Sequence, residues 1–116
     1  MEIFKQIKTY EDALKALDKE DFCYENLYPR EIARRKLEIV IEALNEGWKP
    51  DWNNHLEKKW YPYFYGLHAN LSCSYSLYSP SRSDAYVGCR LYCKSEEIAD
   101  YVGQKFIYLY KRMILG

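Results

Sequence analysis

In Ala69-Asn-Leu-Ser-Cys-Ser-Tyr-Ser-Leu-Tyr78 apolar and small polar residues alternate as far as Leu77. Ala69, Leu71, Cys73, Tyr75 and Leu77 share one phase; Asn70, Ser72, Ser74 and Ser76 share the other. Successive side chains of an extended chain point to opposite faces, so this is the pattern of a half-buried antiparallel strand. Downstream, Ser79-Pro-Ser-Arg-Ser-Asp84 is a polar loop. Alternation resumes from Tyr86 to Lys94, with Val87, Cys89, Leu91 and Cys93 set against Gly88, Arg90 and Lys94. The two runs predict a hairpin, with Cys73 and Cys89 on its core face. Upstream, Trp60-Tyr-Pro-Tyr-Phe-Tyr65 is aromatic and bounded by Gly66, so it reads as a further strand. Pro62 donates no ladder hydrogen bond and places that strand at an edge or a bulge.

Helical signals flank the strands. Thr9 is an N-cap for a helix from Tyr10 to Leu17, with Glu11 and Asp12 in the first turn. Residues 18 to 28 form a linker anchored by Phe22, Leu27 and Tyr28. Pro29 opens a second helix that runs to Asn45, with Gly47 near its C-terminal cap. Ala33, Leu37, Val40, Ile41 and Leu44 recur at spacings of three and four, and Arg34, Arg35, Glu38 and Glu42 take the opposite face. Ser95 caps a last helix whose apolar face is Ile98, Val102, Phe106, Leu109 and Met113. The expected fold is α+β: a single domain of order helix, helix, three strands, helix, with a three-stranded antiparallel meander packed against helices. Residues 1 to 28 stand in it as an N-terminal helix and linker at the periphery.

The balance of 17 basic and 17 acidic residues argues against intrinsic disorder. It also removes the simplest electrostatic case for nucleic acid, which needs excess Lys and Arg. No apolar run is long enough for a membrane span and the N-terminus has no apolar leader, so a cytoplasmic protein with no membrane contact is expected. Cys23, Cys73, Cys89 and Cys93 are then expected as reduced thiols. Cys89 and Cys93 lie about 13 Å apart on a strand, too far to share one metal. His68 and Cys73 fare no better, so no metal or cofactor is expected. Cys–His pairs can be drawn, but no nucleophile, base and orienting group come together, and an enzyme is the least favoured class.

Composition is most unusual from Trp48 to Tyr65, where seven of eighteen residues are aromatic, all three tryptophans included. Trp48, Trp52, Trp60, Tyr61, Tyr63 and Tyr65 could form a platform for a base, a sugar or a proline-rich peptide, with Asp51, Asn53, Asn54 and His55 adding polar contacts. The competing account folds the same rings into a small core. Tyr78, Tyr86 and Tyr92 fall on the polar phase of their strands, a further sign of an interface, with Arg90 beside them. The expectation is a non-enzymatic interaction module that binds a protein partner or a second copy of itself. The alternative is a single-stranded nucleic-acid binder that stacks bases on these rings and sets Lys49, Lys58, Lys59 and Arg90 on the phosphates.

Ala43-Leu-Asn-Glu-Gly-Trp-Lys-Pro-Asp-Trp52, Trp60-Tyr-Pro-Tyr-Phe64 and Tyr86-Val-Gly-Cys-Arg-Leu-Tyr-Cys-Lys-Ser-Glu-Glu-Ile-Ala-Asp-Tyr-Val-Gly-Gln-Lys-Phe106 together resemble a family of small proteins of gut Bacteroidales, their phages and mobile elements. The resemblance spans residues 29 to 112. It carries over no activity and no functional residue. It implies at most a bacterial intracellular or phage-linked accessory protein.

Overall fold

The computed structural model describes residues 1–51, 53–54, 56–65, 72–78 and 91–115, with backbone alone for residues 65 and 72–78. Its elements are α1 (Glu2–Gln6), α2 (Tyr10–Ala16), α3 (Pro29–Asn45), β1 (Trp60–Tyr65), β2 (Ser72–Tyr78), α4 (Glu96–Lys105) and α5 (Ile107–Leu115). Thr9 starts α2 through a reciprocal cap. Its hydroxyl accepts the Asp12 N–H at 3.1 Å, and the Asp12 carboxylate accepts the Thr9 N–H at 3.1 Å. Pro29 occupies the first turn of α3, and Ala33, Leu37, Val40, Ile41 and Leu44 are buried along it. The helix ends where Glu46 turns left-handed at φ 50°, followed by Gly47 at φ 91°.

Among the described residues the three-stranded meander is not seen, and the α+β reading is corrected to a mostly helical chain. Among the described residues the sheet has two strands, β1 and β2, paired antiparallel from Trp60↔Tyr78 to Tyr65↔Ser72. The register shifts between Tyr63 and Phe64, where Tyr63 faces Tyr75 and Phe64 faces Cys73. Tyr61 and Phe64 are both buried although they are three residues apart, a spacing that a flat strand would split between its two faces.

The expected third strand, Tyr86 to Lys94, fails in its described part. Leu91, Tyr92 and Cys93 are buried in succession, which breaks the alternation. Cys93 makes an isolated bridge to Trp60, on the β1 side of the sheet and not with β2. The Trp60 N–H donates to the Cys93 carbonyl at 3.0 Å, and the Cys93 N–H donates back at 2.7 Å. The cause lies in α3. The Asn45 amide donates to the Tyr92 carbonyl at 3.0 Å, and its oxygen accepts the Lys94 N–H at 3.1 Å. One side chain thus takes the backbone groups that a neighbouring strand would have paired. The turn at 79–90 and the Cys89 face fall outside the described residues.

The last helix is two helices. Ser95 caps α4 by accepting the Ile98 N–H at 3.3 Å. The rod breaks at Phe106 (φ −110°, ψ 27°), whose ring is fully buried. α4 lies against both strands and α5 against α3. One straight helix cannot follow both directions, and the break lets each half bury its own face.

The N-terminal segment is part of the core rather than peripheral. Ile3, Ile7, Tyr10 and Ala13 are buried in the same cluster as Leu37, Ile98 and Phe106. Tyr101 stacks on Phe4 with ring centroids 4.2 Å apart, and its hydroxyl donates to the Phe4 and Ile7 carbonyls. α1 had no cap signal to announce it: Met1 offers no side-chain cap.

Candidate functional site

The C-terminal end of α3 opens onto a cleft of about 410 Å³. Ile41, Trp48, Pro50 and Tyr92 supply its apolar wall; Lys19, Glu38, Glu42 and Lys49 supply charge. The left-handed turn at Glu46–Gly47 throws Trp48 back beside the helix, and the Trp48 N–H donates to the Asn45 carbonyl at 3.1 Å. Asn45, itself buried, holds the opposite wall by clamping Tyr92 and Lys94. Lys19 reaches in from the α2–α3 linker, its ammonium 3.0 Å from the Glu42 carboxylate. α3 carries no basic residue in its last turn. The negative end of its dipole therefore faces the cleft without a compensating charge from the helix itself.

The chain beyond Trp48 folds on itself. The Glu57 carboxylate accepts the Asp51 N–H at 2.8 Å and lies 3.3 Å from the Lys59 ammonium. Lys59 is fully buried and also donates to the Asn54 and Glu57 carbonyls, each at 3.2 Å. Asp51 and Asn54 accept the N–H groups of Asn53 and Leu56. These turns fix the loop between cleft and strand. They also take Lys59 away from any phosphate.

The aromatic residues named from sequence divide accordingly. Trp48 is half-buried on the cleft wall, while Trp60 is half-buried but packed against the core. The Lys58 ammonium lies 5.9 Å from the Trp60 ring centroid. Tyr61 and Tyr92 belong to the core, their rings edge to face at 5.7 Å. Tyr92 is 1% exposed, against the solvated face expected for it, and the Asn45 amide holds its backbone carbonyl. Tyr63 is half-buried and Asp51 exposed. Tyr65 and Tyr78 lie in β1 and β2, where the backbone alone is described. Trp52, Tyr86 and Arg90 lie outside the described residues. The structure thus brings Trp48 and Tyr92 to one cleft and leaves Trp60, Tyr61 and Tyr63 on the strand.

Cys93 is a buried free thiol, and burial pushes its pKa well up, which leaves it inert at neutral pH. Cys23 is an exposed free thiol. Among the described residues no group of His, Cys, Asp and Glu is placed to hold a metal. No described helix is long and apolar enough to cross a membrane.

Sequence reasoning missed a second polar cluster. The Asp21 carboxylate accepts the Tyr10 hydroxyl at 2.5 Å, the Tyr24 hydroxyl at 2.7 Å and the Phe22 N–H at 2.9 Å. The Lys36 ammonium sits 5.0 Å from both ring centroids. Partial burial pushes the Asp21 carboxyl up, but the two phenols, the N–H and Lys36 outweigh it and hold it below the usual range. Burial and the Asp21 hydrogen bond push the Tyr10 phenol far up. All three donors are spent on one carboxylate, which ties the linker to α2 and α3. The signals were Lys36 amid an apolar stripe and an Asp between two tyrosines. Neither is specific without the fold.

No protein-family model, curated protein or solved structure matches the chain.

Proposed function

We propose that this chain is a small non-enzymatic binding module whose contact surface is the cleft around Trp48, and that its partner is a protein, a second copy included. The observation that carries this is the position of Trp48. The largest ring type sits half-buried on the wall of an open cleft while Tyr61, Phe64, Tyr92, Phe106 and Tyr110 fill the core. Tryptophan in a partly desolvated pocket is the residue type that carries binding energy at interfaces. Asn45 fixes the Tyr92 side of the cleft and the Glu57-centred turns fix the loop that leads out of it, so little ordering entropy is left to lose on contact. The resemblance of residues 29 to 112 implies at most a bacterial intracellular or phage-linked accessory role for such a module. The nucleic-acid reading is weakened by Lys59, whose ammonium is buried against Glu57.

The test compares wild type with Trp48→Ala by thermal unfolding, by sedimentation across concentration, and by titration with a single-stranded oligonucleotide at two salt concentrations. A contact ring predicts a stability loss of about 1 kcal/mol or less, far below the roughly 3–5 kcal/mol of a truncated core ring. Any self-association of the wild type should weaken in the variant. A core-sized loss of stability would make Trp48 structural and end this reading. Salt-sensitive oligonucleotide binding that depends on Trp48 would replace the protein partner with nucleic acid.

A further inference from the structure

From the charge at the end of α3 we infer that the Trp48 cleft receives a cationic side chain, arginine or lysine, presented by a peptide segment of the partner, and that Lys19 is its built-in competitor. The inference rests on the contact reading above and names the chemistry of what is bound. Three features converge on a cation. Glu38 and Glu42 lie one turn apart on α3 and both line the cleft. The helix presents its negative end there with no basic residue in its last turn. Trp48 lines the same cleft, and an indole face attracts a guanidinium or ammonium while the aliphatic stem lies along apolar surface such as Pro50.

The cleft already shows this preference within the chain. The Lys19 ammonium crosses from the linker to the Glu42 carboxylate, both side chains remaining about half exposed (47% each). An ion pair so open to water is weak and readily exchanged. Lys19 sits on a strap, residues 19–25, between two left-handed residues, Asp18 at φ 53° and Asn26 at φ 63°. Asp21 pins the strap through Tyr10 and Tyr24, so Lys19 can leave Glu42 while the strap stays in place. Lys49 is exposed on the lining, and Arg34 lies 3.6 Å from Glu38, so the incoming cation is directed to Glu42.

The test follows the Trp48 indole N–H and the backbone amides by NMR while the full chain is titrated with short capped peptides. One peptide has a central arginine between glycine and serine. A second carries citrulline, the neutral isostere, in its place, and a third is proline-rich and uncharged. The arginine peptide should shift the Trp48 indole and the amides near Glu42. Citrulline, Glu42→Gln and Trp48→Ala should each weaken binding by about fivefold, and Lys19→Ala should tighten it by about threefold. Undisturbed amide dispersion in each variant confirms the fold. Equal binding of arginine and citrulline, or no tightening in Lys19→Ala, overturns the cation inference. If the uncharged peptide alone perturbs Trp48, the cation inference fails while the contact reading stands. If no peptide perturbs Trp48 and Trp48→Ala leaves sedimentation unchanged, both fail.

Discussion

The Asn45 carboxamide closes two hydrogen bonds, to the Tyr92 carbonyl and the Lys94 N–H, in a setting where the side chain is almost fully buried. An isosteric apolar residue would remove both hydrogen bonds from a buried setting. Asn45→Leu should therefore cost about 2–4 kcal/mol, because losing a buried hydrogen-bond partner carries a desolvation penalty for the group that remains. Asn45→Asp should also destabilise, since a carboxylate cannot donate to the Tyr92 carbonyl. Denaturant midpoints at unchanged m-value measure both, and a loss under about 1 kcal/mol for Asn45→Leu would show that water takes over the clamp. Lys59 sets a second residue-scale test. Removing Glu57's charge in Glu57→Gln takes the carboxylate away from the buried ammonium and should cost about 2 kcal/mol, discounted for the partial exposure of Glu57. Lys59→Met removes the charge and keeps the volume, and should cost less than Glu57→Gln in the same unfolding experiment.

At the scale of elements, caps behaved as local chemistry requires and long apolar patterns did not. Thr9 and Asp12 close their box within four residues, so Thr9→Ala should cost about 1 kcal/mol, read as a lower unfolding midpoint. The apolar spacing Ile98, Val102, Phe106, Leu109 continues through the break between α4 and α5, and all four are buried. A periodic stripe shows which side chains go inside. It does not show that one axis carries them all, because a bend at Phe106 keeps each on the core side. The strand from Ser72 to Tyr78 forms where the alternation predicted, but its described partner is β1, through a register shift. Alternation marks a strand and leaves its neighbour open.

Taken as a whole, the molecule is held at several points by protonated phenols and by two ionised carboxylates, Asp21 and Asp12, and this gives its stability a pH profile. Asp21 has a folded pKa below its ordinary value, so its contribution is present above about pH 4 and is lost as pH falls through the lowered folded value. Asp12 adds to the same limb, because the Lys8 N–H hydrogen bond leads the effects that hold its carboxyl down. Tyr10, Tyr24, Tyr101 and Tyr108 all have raised values, with burial the largest cause in each. Their contribution is complete below about pH 10, the ordinary phenol value, and declines above it as the unfolded chain ionises first. Unfolding midpoints across pH should therefore fall at both ends. Tyr10→Phe should flatten the alkaline limb and Asp21→Asn the acid limb; a profile unchanged in both variants would refute the role given to the Asp21 cluster.

The sequence by itself determined what is local. The Thr9 and Ser95 caps, the Pro29 start of α3, the buried face of that helix and the strand character of residues 60–65 and 72–78 depend on contacts within a few residues. Tertiary structure decided whatever depends on partners far along the chain. Asn45 meets Tyr92 across 47 residues and Tyr101 meets Phe4 across 97, and no periodicity encodes either pair. Those contacts clamped residues 91–94 of the expected third strand, drew the N-terminal helices into the core, and buried Tyr92 while leaving Trp48 on the cleft. The reason is that hydrophobic burial is not directional. An aromatic-rich segment guarantees that rings will be covered, and only the packed arrangement of distant polar groups selects which ring stays within reach of a partner.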